Sequence, residues 1–114
     1  IIDGNNNIEF LPDYAEGGLF NFKVTNSLVK FTDINNAFDG VSEIDFDNTN
    51  LYENILLNGI THFRNPSNND FIIGQDSQAI NFGNVSGANL VPTDILGIIR
   101  TDSPDAGAYQ HIDF

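Results

Sequence analysis

Apolar residues along the 114-residue chain fall in short runs between turn-forming residues. The runs are Ile8-Glu9-Phe10-Leu11, Leu19 to Val24, Leu28-Val29-Lys30-Phe31, Ile44-Asp45-Phe46, Ile55-Leu56-Leu57, Phe71-Ile72-Ile73 and Ile95 to Ile99. Each is strand-sized, and several alternate apolar with polar positions, as half-buried strands do. Turn signals separate them: Asp3-Gly4, Gly17-Gly18, Asn35-Asn36, Asp39-Gly40, Asn58-Gly59, Asn68-Asn69, Gly83-Asn84 and Gly87. Asn is the most abundant residue, and the strong helix formers Ala, Glu and Lys are sparse. The pattern predicts an all-β chain of many short strands, with one helical turn over Gln75–Asn81 capped by Asp76 or Ser77.

Clean pairs of equal strands do not flank the Asn-Gly and Asp-Gly turns, which argues against a sandwich or barrel. Asn26-Ser27-Leu28-Val29 is instead echoed by Asn54-Ile55-Leu56-Leu57, an offset of 28 residues. An echo of that length suggests a β-solenoid, in which each coil buries its face against the next. Asn suits its turns, because it tolerates left-handed backbone. The expected organisation is β-helical coils over residues 1–64 and a loop-rich C-terminal cap over residues 65–114, which covers the last strand edge.

The tail resembles a known family. Asp70-Phe71-Ile72-Ile73, followed by Ser77-Gln78-Ala79-Ile80-Asn81-Phe82-Gly83, is similar to the "D-[FY]-x-[L]…S-P-A-I-D-x-G" element of bacterial right-handed parallel β-helix proteins of the choice-of-anchor Q, pectate-lyase-like kind. Asp94-Ile95-Leu96-Gly97-Ile98-Ile99-Arg100 resembles "D-x-x-G-x-x-R", and Asp105-Ala106-Gly107-Ala108-Tyr109-Gln110 resembles the closing "D-I-G-A-Y-E". The three elements span about residues 63–110. Gln78 stands for the usual Pro, Asn81 for Asp and Gln110 for Glu, so two carboxylates have become amides. The resemblance implies a right-handed parallel β-helix and an extracytoplasmic protein, secreted or at the bacterial cell surface. It implies no activity, because one fold hosts many functions. Asp94, Gly97, Arg100, Asp105, Gly107 and Tyr109 are the expected structural cap residues.

Charge narrows the partners. Sixteen acids against four bases give a formal charge of −12. Such a field repels nucleic acids and anionic membrane surfaces. Lys23, Lys30, Arg64 and Arg100 are too scattered to track phosphates. With no cysteine there is no disulfide, thiolate nucleophile or Cys-based metal site. No apolar run approaches the ~20 residues of a membrane span. The chain opens on Ile1-Ile2-Asp3-Gly4 without Met, as expected of a processed chain or a piece of a longer one. The expected partners are upstream coils of the same protein and cell-surface proteins or polysaccharide.

No motif fixes a reaction. Arg100 beside Asp94 and Asp105 has two readings: a clamp for a substrate carboxylate, or an internal ion pair pinning the cap. Asp45, Asp47, Asn48 and Asn50 start like a calcium loop, but Asn50 and Leu56 occupy the places of its Gly and final acid. Calcium is therefore the one cofactor the sequence suggests, and only weakly; a solvated strand face explains the same residues. His62 and His111 lack i,i+4 partners, and no Ser has a G-x-S-x-G context. Tyr14 and Tyr52 are candidate sugar-stacking contacts. The leading expectation is a non-catalytic, solenoid-terminating segment that docks in an outer-surface complex. The alternatives are a fragment of a polysaccharide lyase or glycoside hydrolase with its active residues upstream, and a small carbohydrate-binding module.

Overall fold

The computed structural model describes residues 1–13 and 15–114. It contains four strands: β1 (Val24–Val29), β2 (Tyr52–Leu57), β3 (Phe63–Asn65) and β4 (Asp70–Ile73). One short helix follows, α1 (Val85–Leu90), with 3₁₀ turns at Ser42–Ile44 and Pro66–Asn68. None of the helices is long and apolar enough to cross a membrane, among the described residues.

Strands β1 and β2 pair in parallel, with Ser27 opposite Ile55, Leu28 opposite Leu56 and Val29 opposite Leu57. The 28-residue echo is thus the register of this sheet. Ile2 bridges Val29 in parallel on the other side, its N–H donating to the Leu28 carbonyl at 2.8 Å. Asn26 and Asn54, at matching places in the two strands, both adopt left-handed backbone with φ of 48° and 56°. The same conformation in both strands keeps them in step through the kink. A branched residue at either place would be strained there.

The β-helix expectation is not met. The strands form two separate two-stranded sheets, β1–β2 parallel and β3–β4 antiparallel, and no closed solenoid is present among the described residues. The physical reason lies in the segment between β1 and β2, where short polar side chains bond their own backbone instead of leaving it for a ladder. The Asp33 carboxylate accepts the N–H groups of Ala37 and Phe38 at 3.0 and 2.8 Å. Asp45 accepts from the N–H of Asp47, and Asn48 from that of Asn50. The Ile44-Asp45-Phe46 strand expected there is the end of a 3₁₀ turn followed by a hydrogen-bonded turn. The Ile95–Ile99 strand is reduced to one antiparallel bridge, Thr93 to Ile99. The helical turn expected over Gln75–Asn81 is a series of hydrogen-bonded turns; the helix lies further on, where Asn84 caps α1 by accepting the Gly87 N–H at 2.9 Å.

Leu28, Ile73, Ala79 and Ala106 form the main core, with Ile1, Leu56, Phe63 and Phe82 packed against it. The core therefore joins the parallel pair, the hairpin and the C-terminal loops. A second cluster is aromatic. Tyr52, 2% exposed, meets Phe10, Phe22 and Phe46 at centroid distances of 6.3, 5.7 and 4.8 Å, and Phe31 extends the chain of rings to Phe38. Its hydroxyl donates to the Glu43 carbonyl. Burial, with the nearby Glu43 charge, raises the phenol pKa above its ordinary value.

Asn58 ties the end of β2 to the chain leaving β1. Its side chain accepts the Phe31 N–H and donates to the Phe31 carbonyl, both at 3.0 Å, so one amide imitates a strand. Its backbone is left-handed, with φ of 56°. Asn58→Ala is expected to cost about 1–3 kcal/mol by losing both bonds and straining the backbone. Asn58→Asp, which keeps the acceptor, is expected to cost less. Urea denaturation ranks the two, and the reverse order would refute this role.

Candidate functional site

The C-terminal region is built around two carboxylates. Asp105 is fully buried. It accepts the Asn81 N–H at 2.8 Å and the His111 N–H at 2.6 Å, and its Oδ2 lies 2.8 Å from His111 Nδ1. Asp94, 7% exposed, accepts the N–H groups of Leu96 and Ile98 on Oδ1 at 2.9 and 2.8 Å, and that of Gln110 on Oδ2 at 2.9 Å. Burial pushes the Asp94 pKa up, but these three N–H donors and the positive Arg100 together outweigh it. The net effect holds the carboxyl below its ordinary value.

Arg100 does not pair its guanidinium with a carboxylate. Its Nη2 donates to the carbonyls of Asp105 and Gly107 at 2.9 and 3.0 Å. Gly107 has φ of 125°, and Gly97 closes the Asp94–Ile98 turn at 84°, so both positions favour glycine. Gly83 fits because a Cβ there would stand 2.8 Å from the Pro104 carbonyl oxygen.

Of the residues singled out in the sequence, Asp94, Gly97, Arg100, Asp105 and Gly107 thus meet in one network of buried polar groups. Tyr109 is half-buried beside it in sequence. Tyr52 is no ligand contact: its ring is enclosed by other rings and its hydroxyl is consumed internally. Tyr14 lies outside the described residues. Asp45 and Asp47 sit in a turn, and no group of three or more His, Asp or Glu side chains is placed to hold a metal ion among the described residues.

The sequence reading missed what this network displays. Leu90, Ile95 and Ile99 are 85%, 73% and 72% exposed, and Val85, Val91, Leu96 and Ile98 are exposed as well. They lie in α1, at its C-cap Val91, and in the Pro92–Arg100 turn, which is closed by Asp94 N–H to Ile98 O at 2.8 Å and Arg100 N–H to Pro92 O at 3.0 Å. Between Ser77 and Thr101 the only formally charged residues are Asp94 and Arg100, and both point their polar groups inward. The signal was visible as a charge-poor interval in an otherwise acidic chain. Isolated exposed apolar residues are ordinary, whereas a run of them marks an interaction surface.

No family model matches the chain, and neither the curated proteins nor the solved structures contain a match to it.

Two substitutions test the network. Arg100→Leu leaves two carbonyls without their donor and is expected to lower stability by about 1–3 kcal/mol. Unchanged unfolding in urea would contradict the role. Asp94 gives a pH signature. Its folded-state pKa is depressed, so its contribution is complete above the unfolded value near ~3.9 and disappears as pH falls through the lower folded value. Asp94→Asn is therefore expected to be less stable than the parent at neutral pH, with the gap closing as pH falls below about 4. Asp70, held low by its hydrogen bond to Arg64, and Glu53, held low by its hydrogen bond to Lys23, give both proteins a shared acid limb. The difference between the two pH–stability curves isolates Asp94, and a constant gap would refute the assignment.

Proposed function

We propose that this chain is a non-catalytic segment of a secreted or cell-surface protein, and that it docks to another protein through the exposed aliphatic stretch of residues 85–99. The observation that carries the reading is the exposure of Leu90, Ile95 and Ile99 on a part of the chain whose two charges are both turned inward. Depletion of charge with retained apolar area is the composition of an interface core. The stretch has no aromatic ring to stack on a sugar. The acidity of the chain, and the resemblance of its last half to bacterial surface proteins, support the extracytoplasmic assignment. The polar network serves as scaffold in this reading, since Asp94 holds the backbone of Leu96 and Ile98 and ties it to Gln110.

A photoreactive amino acid at Leu96 tests the proposal in cells that produce the protein. A discrete covalent adduct with one secreted or surface protein is expected, with its yield cut at least about tenfold by Leu90→Ser together with Ile95→Ser. The same group at Asp39 serves as control. Equal labelling at both positions, or no adduct at Leu96, would sink the docking assignment.

A further inference from the structure

A second concave site lies away from the aliphatic stretch. It is a cleft of about 480 Å³ between the N-terminal segment and the β3–β4 hairpin, lined by Asp3, Asn5, Thr61, Phe63, Ser67 and Phe71 among others. That volume falls within the ~300–1,000 Å³ typical of small-ligand sites. Phe71 is 45% exposed, and its ring is fixed edge-on against Phe63 at 5.3 Å and 83°. The cleft therefore offers an apolar wall held in one orientation.

The polar wall is equally fixed. Asp3 accepts the Gly4 N–H on Oδ1 and the Thr61 hydroxyl on Oδ2, both at 2.8 Å. Lys30 Nζ stands 3.9 Å from the carboxylate and donates to the Gly4 carbonyl. The carboxylate is thus locally compensated, yet its side chain stays 29% exposed, and two ionised oxygens hold more lone pairs than these donors use. Asn5 and Ser67 add an exposed amide and a hydroxyl.

Charge decides the ligand class. Lys23 is paired with Glu53 and Arg64 with Asp70, Arg100 is committed to carbonyls, and Lys30 serves Asp3 and Gly4. With every Lys and Arg so engaged, an anionic ligand would have to compete with Asp3 and the Gly4 carbonyl for Lys30 against a net charge of −12. A cation gains little beside Lys30. We infer that the cleft binds a neutral saccharide, with one sugar face on Phe71 and its hydroxyls donating to Asp3 and exchanging hydrogen bonds with Asn5 and Ser67. The site is independent of the docking stretch and does not use Tyr52.

The test is a titration followed by amide and aromatic-ring NMR, using cellohexaose, xylohexaose and maltohexaose as neutral probes and hexagalacturonate as the anionic one. Saturable shifts at Asn5, Ser67 and the Phe71 ring are expected with at least one neutral probe, at a Kd on the order of 1 mM. Phe71→Ala is expected to weaken that binding at least about tenfold, and Asn5→Ala, at an exposed loop position, by a smaller factor. Absence of saturable shifts with all three neutral probes overturns the inference. So does tighter binding of hexagalacturonate, or an affinity untouched by both substitutions. Asn5→Ala decides alone should the Phe71→Ala spectrum show a lost fold.

Discussion

Asp105 places a carboxylate with no solvent exposure inside a chain whose formal charge is −12. A buried ionised group is tolerated only when hydrogen bonds replace its water. Here they come from both sides of the C-terminal region, the Asn81 N–H on one and His111 on the other. The adjoining backbone is bonded too. Gly83 donates to the Pro104 carbonyl, Ala106 to the Ala79 carbonyl and Arg100 to the Asp105 carbonyl. Segments 79–83, 94–100, 104–107 and 110–111 are therefore held to one another through a single residue and its neighbours. The core follows from this arrangement, since Ala79 and Ala106 are brought against Leu28 and Ile73. Removing the carboxylate would leave the part-buried N–H groups of Asn81 and His111 without their acceptor, which is the costly side of hydrogen bonding.

The three places where the tail departs from the motif it resembles each have a structural use. Gln78 donates its N–H to the Ile60 carbonyl and accepts the Ile60 N–H on its side chain, both at 2.8 Å. Pro could not supply that N–H. Asn81 takes left-handed backbone at φ of 57° while its N–H binds Asp105. Gln110 accepts the Asp105 N–H on Oε1 and donates from Nε2 to the Ser103 carbonyl at 3.0 Å. A carboxylate at 110 would have lost the second bond and set another charge among Asp94 and Asp105. The amides fit a network already rich in carboxylates.

Some of this was legible in the residues and some was not. The echo of Asn26-Ser27-Leu28-Val29 in Asn54-Ile55-Leu56-Leu57 reads directly as a parallel register, because in both strands a left-handed Asn precedes two aliphatic residues that pair with their counterparts. The grouping of Asp94, Arg100 and Asp105 was likewise visible, though Arg100 meets carbonyls rather than carboxylates. The closed solenoid was not there to be read. Local side-chain bonds at Asp33, Asp45 and Asn48 outcompete strand pairing, and strand propensity says little about such competition. Tyr52 misled for a related reason. Flanked by Leu51 and Glu53, it gave no sign that Phe10, Phe22 and Phe46, distant in sequence, would enclose its ring.

The docking reading and the rigid network depend on each other physically. An aliphatic surface on a loosely held loop would have to be ordered on binding, at about 0.5–1.5 kcal/mol for each side chain immobilised and more for the backbone. Residues 92–100 are instead closed by two backbone bonds and fastened through Asp94 to Leu96, Ile98 and Gln110. The backbone part of that ordering is complete before any partner arrives. The same bonds turn the Asp94 carboxylate inward, and Arg100 at the edge of the stretch is held by the Asp105 and Gly107 carbonyls, so no charge has to be stripped of water at its centre. Long-range repulsion from the remaining acids still acts, and it disfavours a second copy of this chain as occupant. In the docking reading it favours a partner of positive potential, for which the acids outside the stretch would form an attractive surround.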